Sequence, residues 1–208
     1  MIQEFKDGGP MMYFLLICAI LGIGVLIERF FTLMIKARIN PKKFVNDLIR
    51  AVDRDSVDAA IVLCARHPSP VAKVLRAGLE RADRGKEAVE ERIANAAATE
   101  LAFLDRGMGL LAGVITVAPF LGFLGTVNGM IGAFKAIAAA REVAPEVVAS
   151  GISEALITTK WGLMIAAPLA IFHVLLTGRI NGYTRDMEES ATRLVDYIVE
   201  GMPKKKAK

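Results

Sequence analysis

Residues 108–134 read MGLLAGVITVAPFLGFLGTVNGMIGAF, 27 residues without an Asp, Glu, Lys or Arg. An α-helix rises 1.5 Å per residue, so about 20 residues cross a hydrocarbon core of about 30 Å, and in lipid a helix satisfies its own backbone. The stretch therefore reads as a transmembrane helix. Residues 8–27 carry no charge either, and residues 155–178 carry only Lys160. The strand alternation of an outer-membrane barrel is absent. The expected fold is an all-α membrane protein with three transmembrane helices, the second and third extending into a large cytoplasmic helical region.

Composition agrees. The chain is 54% hydrophobic, with a mean hydropathy of +0.44, and its 23% of charged residues fall in blocks that leave the three stretches clear. Of the 26 Lys and Arg, 15 lie between Arg29 and Arg106 and 7 between Arg179 and Lys208. The positive-inside rule puts both blocks in the cytoplasm, and hence the N-terminus outside and the C-terminus inside. The expected organisation is an outer N-terminal segment at 1–10, a first span at 11–35 and a cytoplasmic helical region at 36–106. A second span at 107–134, a short outer hairpin loop at 135–150, a third span at 151–177 and a C-terminal helix with a basic tail at 178–208 complete it. Glu4, Lys6 and Asp7 are not the basic start of a signal peptide, so the first stretch reads as a retained anchor. The tail, Lys204-Lys205-Lys206, suits a solvated end near anionic lipid headgroups.

Within the cytoplasmic block, Asn40-Pro41, Asp53 to Ser56 and His67-Pro68-Ser69-Pro70 mark helix starts and stops, dividing it into four helices. The last begins near Lys86, carries Val89, Ile93, Ala96, Ala97, Leu101 and Leu104 at helical spacing, and is expected to run unbroken into the second span. Cys18 in the first span and Cys64 in the cytoplasmic block cannot meet, so no disulfide is expected.

The second span is crowded with small residues around Gly122, Gly125 and Gly129. Gly125-x-x-x-Gly129 lets another helix backbone come close, either within this hairpin or between subunits. Pro119 and Pro168 each remove one helical hydrogen bond from their span. The third span opens GISEALITTKW at Gly151, and ionisable residues inside a span are rare and costly, so Glu154 and Lys160 need reasons. With the hairpin apex near residues 140–143, Thr126 falls level with Glu154 to Thr159, a polar layer suited to an ion or proton. Glu154 reads otherwise as a hydrated interfacial residue. Lys160, about 120° around the helix from Glu154, either snorkels to an interface or opposes a carboxylate on a partner span. His173 reads as interfacial or core rather than as a relay. No Ser-His-Asp set, phosphate loop or zinc spacing is present, so no enzyme, metal or cofactor is implied, and no nucleic-acid partner.

Ala118-Pro119-Phe120-Leu121-Gly122-Phe123-Leu124-Gly125-Thr126-Val127, followed by Gly151-Ile152-Ser153-Glu154-Ala155-Leu156, resembles the ExbB/TolQ/MotA proton-channel family, on the three-span ExbB or TolQ side. The resemblance implies a bacterial inner-membrane motor. In it, a homopentamer encloses the single transmembrane helices of two ExbD- or TolR-like partners, and proton flow drives a TonB- or TolA-like protein for active transport across the outer membrane. It implies that Thr126 and Thr159 face a partner aspartate and that Glu154 is the functional glutamate. Lys160, followed by Trp161, departs from the family pattern and is expected to hold that aspartate ionised. Envelope maintenance of the TolQ type, a gliding-type stator and a non-conducting scaffold are the other readings. Threonine oxygens alone suit proton or sodium.

Overall fold

A computed structural model describes residues 2–36, 40–139 and 145–201. Every regular element among them is helical. In order they are α1 (Ile2–Asp7), α2 (Met11–Phe31), α3 (Pro41–Arg54), α4 (Val57–Ala65), α5 (Pro70–Leu79), α6 (Lys86–Asp105), α7 (Met108–Ala139) and α8 (Pro145–Gly201), with a π-helical turn at Thr32–Lys36 and a 3₁₀ turn at Ala82–Arg84. The chain divides into two compact units. One comprises Met1–Arg29 and Gly107–Leu175, the other Phe30–Arg106 and Leu176–Lys208.

The first unit holds α1, α2, α7 and the first part of α8. Among the described residues three helices are long and apolar enough to cross a membrane, and at most 28% of the most apolar window of any of them is buried. Phe120, Phe123, Leu156 and Ile171 stand outward, each more than 60% exposed. Apolar surface on this scale suits lipid or other chains. The small interior gathers around Met12, Leu15, Ala118 and Ala166, against which Phe5, Leu121, Ile157, Trp161 and Ile165 pack. Lower down, Gly22 lets Val114 and Leu169 close in, since a Cβ there would lie 3.1 Å from Val114 Cγ1 and 2.5 Å from Leu169 Cδ1. At its end the Arg29 guanidinium is buried and bonded to Glu28, with Nε to Oε2 at 2.7 Å.

In the second unit α3 to α6 pack in sequence order, each on the next, and the end of α8 joins them. The punctuation read from the sequence acts as helix caps. Asn40 Oδ1 accepts from the Lys43 amide, Ser56 Oγ from Ala59 and Ser69 Oγ from Ala72, each at 3.2 Å, with Pro41 and Pro70 in the first helical positions. Phe44, Val45, Leu48, Leu75, Val89 and Leu194 are among the buried side chains. Two tyrosines of α8 tie it to this unit. Tyr183 donates to the Leu33 carbonyl at 2.7 Å and Tyr197 to Asp53 Oδ1 at 2.5 Å.

Two expectations change here. The helix from Lys86 does not run into the second span: α6 ends at Asp105, Arg106 is extended (φ −55°, ψ 128°), and Gly107 takes φ +80° before α7 starts. That left-handed backbone is open to glycine at little cost and ends the helix. The third helix, by contrast, is continuous through both units. Helix also takes up most of the connection expected at 135–150, since α7 reaches Ala139 and α8 starts at Pro145; residues 140–144 and the Lys204-Lys205-Lys206 tail lie outside the described residues. Pro119 and Pro168 both sit within unbroken helices.

Candidate ion-path site on the hairpin of α7 and α8

Helices α7 and α8 meet along a seam of residues with little or no side chain. A Cβ added at Gly122 would lie 2.9 Å from the Thr158 carbonyl oxygen and 3.1 Å from Thr159 Cα. One at Gly129 would lie 3.0 Å from the Gly151 oxygen, one at Gly162 2.6 Å from the Ala118 oxygen, and one at Gly125 would overlap the Thr158 side chain. Within this chain, Gly125 and Gly129 of the Gly125-x-x-x-Gly129 motif both face α8. On α8 the facing residues are Gly151, Ala155, Thr158 and Gly162, a small-residue repeat at helical spacing that was also visible in the sequence.

This seam fixes the register of the polar groups. Gly122 lies against Thr159 and Gly129 against Ala155, so Thr126 is level with the turn between Glu154 and Thr159. Thr126 Oγ1 donates to the Phe123 carbonyl at 2.5 Å, and Thr159 Oγ1 donates to the Gly122 carbonyl at 3.1 Å. Thr158, which the sequence reading passed over, is 1% exposed and has its hydroxyl between the Ala155 carbonyl at 2.8 Å and the Gly122 carbonyl at 3.1 Å. A carbonyl cannot donate, so the hydroxyl hydrogens of Thr126 and Thr159 are committed to neighbouring carbonyls of one helix. What both oxygens keep is lone pairs. In this arrangement they can accept from a carboxylic acid or ligate a cation, and donating to a carboxylate would cost them the bond to the carbonyl.

The level is shared, but the flank is not. Successive helical residues turn by about 100°, so Glu154 and Thr159 point about 140° apart, as do Leu121 and Thr126 on α7. Leu121 packs on the α2 side, and so do Trp161 and Ile157 of α8. Thr126 and Thr159 thus share the flank turned away from α2, whereas half-buried Glu154 lies on the other, with its Oε1 against Gly9. The expected polar layer of three side chains is a pair of threonines and a separate carboxyl.

Lys160 pairs within its own chain, its Nζ lying 2.5 Å from Glu4 Oε1 on α1. The ammonium holds the Glu4 carboxyl below the usual carboxylate range. The positive charge expected to await a partner's carboxylate already has one here, from the N-terminal segment expected at 1–10. Neither histidine joins the site: His173 is half-buried about five turns beyond Glu154, and His67 stands edge-on to Phe44, ring centres 5.2 Å apart.

The sequence matches the MotA/TolQ/ExbB proton channel family over residues 66–189. It is 28% identical over 180 residues to a putative biopolymer transport protein ExbB homolog of Methanothermobacter thermautotrophicus, covering 86% of this chain and 64% of that one. It is 34% identical over 184 residues to the putative biopolymer transport protein ExbB-like 1 of Synechocystis, covering 85% and 71%. The Tol-Pal system protein TolQ of Haemophilus influenzae is 38% identical over 87 residues, 42% of this chain and 38% of that one. The chain thus spans less than two thirds of the length of the first and third of these relatives.

Proposed function

The chain belongs to the MotA/TolQ/ExbB proton channel family, and from that premise we propose that it is the ExbB-type subunit of an inner-membrane motor, in which proton flow moves an ExbD- or TolR-like single-span partner and, through it, a TonB- or TolA-like protein. Several copies, five by family resemblance, surround two partner helices. The N-terminus lies outside and the C-terminus inside, as the 15 and 7 basic residues of the two charged blocks favour.

The observation that carries this reading is the pair of carbonyl-anchored threonines on the free flank of the hairpin. A carboxyl on a partner helix meets two acceptor oxygens there. As an acid it donates to them, whereas as a carboxylate it faces lone pairs. The pair therefore favours the proton-loaded partner, and leaving the site accompanies loss of the proton. Glu154, on the opposite flank, is a second proton-carrying group of the path. Lys160, neutralised by Glu4, stands at the edge of the path.

The test uses the whole complex in native membranes. Thr126→Val and Thr159→Val remove an acceptor, worth about 0.5–1.5 kcal/mol or roughly a two- to tenfold change, and should lower proton flux with assembly intact, whereas the serine variants should keep it. Glu154→Ala should abolish client function without dispersing the complex. Near-normal client activity in an intact Glu154→Ala complex would leave a non-conducting scaffold as the better reading, and flux that followed sodium rather than pH would replace the proton. The similarity to a TolQ supports a Tol-type client as the second reading, which the co-purifying partner's soluble domain decides.

A further inference from the structure

We infer that α1 and the turn after it form a clasped cover over the Glu154 carboxyl, closed by the Glu4–Lys160 ion pair, with Glu4 and Gly9 as positioning residues that set water's access to Glu154.

Three contacts step along α8 at 154, 157 and 160, and each is met by the N-terminal segment. Gly9 lies on Glu154 so closely that a Cβ would overlap Oε1. A Cβ at Gly8 would come within 3.1 Å of Ile157 Cγ2, and Glu4 reaches Lys160 at 2.5 Å. The segment therefore lies across α8 from the Glu154 side to the Lys160 side. Its turn is built for this course. Gly9 has φ +65°, the Gly8 amide donates to the Glu4 carbonyl at 3.0 Å, and the Met12 amide donates to the Gly9 carbonyl at 3.2 Å. The backbone of Gly9 favours glycine, and a side chain there would have to push the Glu154 carboxyl aside. Phe5 seats the segment, packing on the Met12–Leu15 cluster and edge-on to Tyr13 with ring centres 5.3 Å apart.

The clasp is a weak one. Glu4 and Lys160 side chains are 35% and 54% uncovered by the rest of the chain, and where water reaches such a pair it shifts an equilibrium modestly. A cover held this way opens often, which suits a group that must exchange protons with water. That consequence rests on the proton-channel reading, whereas the cover itself does not.

The experiment measures access and not conduction. The full-length protein, in its native complex in lipid nanodiscs, is treated with a water-soluble carbodiimide and a primary amine, and amide formation at Glu154 is followed by peptide mass spectrometry. Glu4→Gln and Lys160→Gln should each speed labelling of Glu154 about two- to fivefold, as expected for loss of an exposed ion pair. Gly9→Ala should speed it at least as much, and the swapped pair Glu4→Lys with Lys160→Glu should return it towards the wild-type rate. Wild-type rates in both single glutamine variants would overturn the cover and leave the channel reading untouched. Faster labelling reversed by the swap upholds the cover even were the chain to conduct nothing.

Discussion

Gly125→Ala is the sharpest probe of the hairpin. The new methyl carbon would lie 2.6 Å from Thr158 Cβ and 2.8 Å from its Cγ2. Because Cβ itself is struck, no rotamer of this β-branched, twice hydrogen-bonded and 1% exposed side chain relieves the overlap, and the helices must move apart. Overpacking of this kind costs about 1–3 kcal/mol, against which a glycine-to-alanine change in a helix gains about 1 kcal/mol. Gly132→Ala isolates the second effect, since nothing lies within 4 Å of a Cβ there. The difference between the two variants is therefore about 1–3 kcal/mol, roughly 5- to 150-fold in an unfolding equilibrium. The single tryptophan, Trp161, packs into the α2 cluster and reports that equilibrium by fluorescence in a denaturing-detergent titration. Only glycine at 158 removes the struck Cβ, so in a Thr158→Gly background Gly125→Ala should lose most of its overlap cost. Equal stability of the Gly125→Ala and Gly132→Ala proteins, or no recovery in the double variant, would refute the register on which the threonine pair depends.

Two further predictions concern the second unit. Burial and the bond to Asp53 push the Tyr197 phenol up to about 12, so its phenolate absorbance should emerge well above that of a free tyrosine and fall back in Asp53→Asn. Because the folded value is raised, this contact's contribution to stability is complete below about pH 10 and is lost as pH climbs towards 12, which thermal unfolding across that range checks. Burial likewise pushes the Cys64 thiol up to about 12, so it should resist alkylation at pH 8 in the folded protein and react on unfolding; rapid labelling of Cys64 under native conditions would contradict its place in the core.

Much of this architecture is written in short-range features. The spans announce themselves by missing charge, and Asn40, Ser56 and Ser69 mark their helices because a cap is made within three residues. The shared level of Thr126 and the Glu154–Thr159 turn follows from equal rise on two antiparallel helices. What escaped needs knowledge of a third element. Spacing alone sets Glu154 and Thr159 about 140° apart, but which flank faces α2 shows only in the packing of Trp161 and Leu121, and Lys160 pairs with a residue 156 positions away that nothing local points to. The break at Gly107 was visible as a glycine, but a glycine without a neighbouring proline is often carried inside a helix, so the residue type did not decide it.

The close seam also bears on how such a subunit would transmit work. One elementary charge crossing 100 mV releases about 2.3 kcal/mol, the same size as a single overpacked contact in the seam. A hairpin whose backbones meet at Gly122, Gly129 and Gly162 can slide or twist internally only by creating several such overlaps at once, so the energy of one proton is too small to deform it. The threonine hydroxyls, tied to the Gly122 and Phe123 carbonyls, would on the proposed reading keep their lone pairs pointing the same way through each passage of charge. On the proposed reading the moving part is the partner carboxyl's helix, which is held while protonated and released when not. The hairpin is the fixed surface against which that difference is converted into displacement.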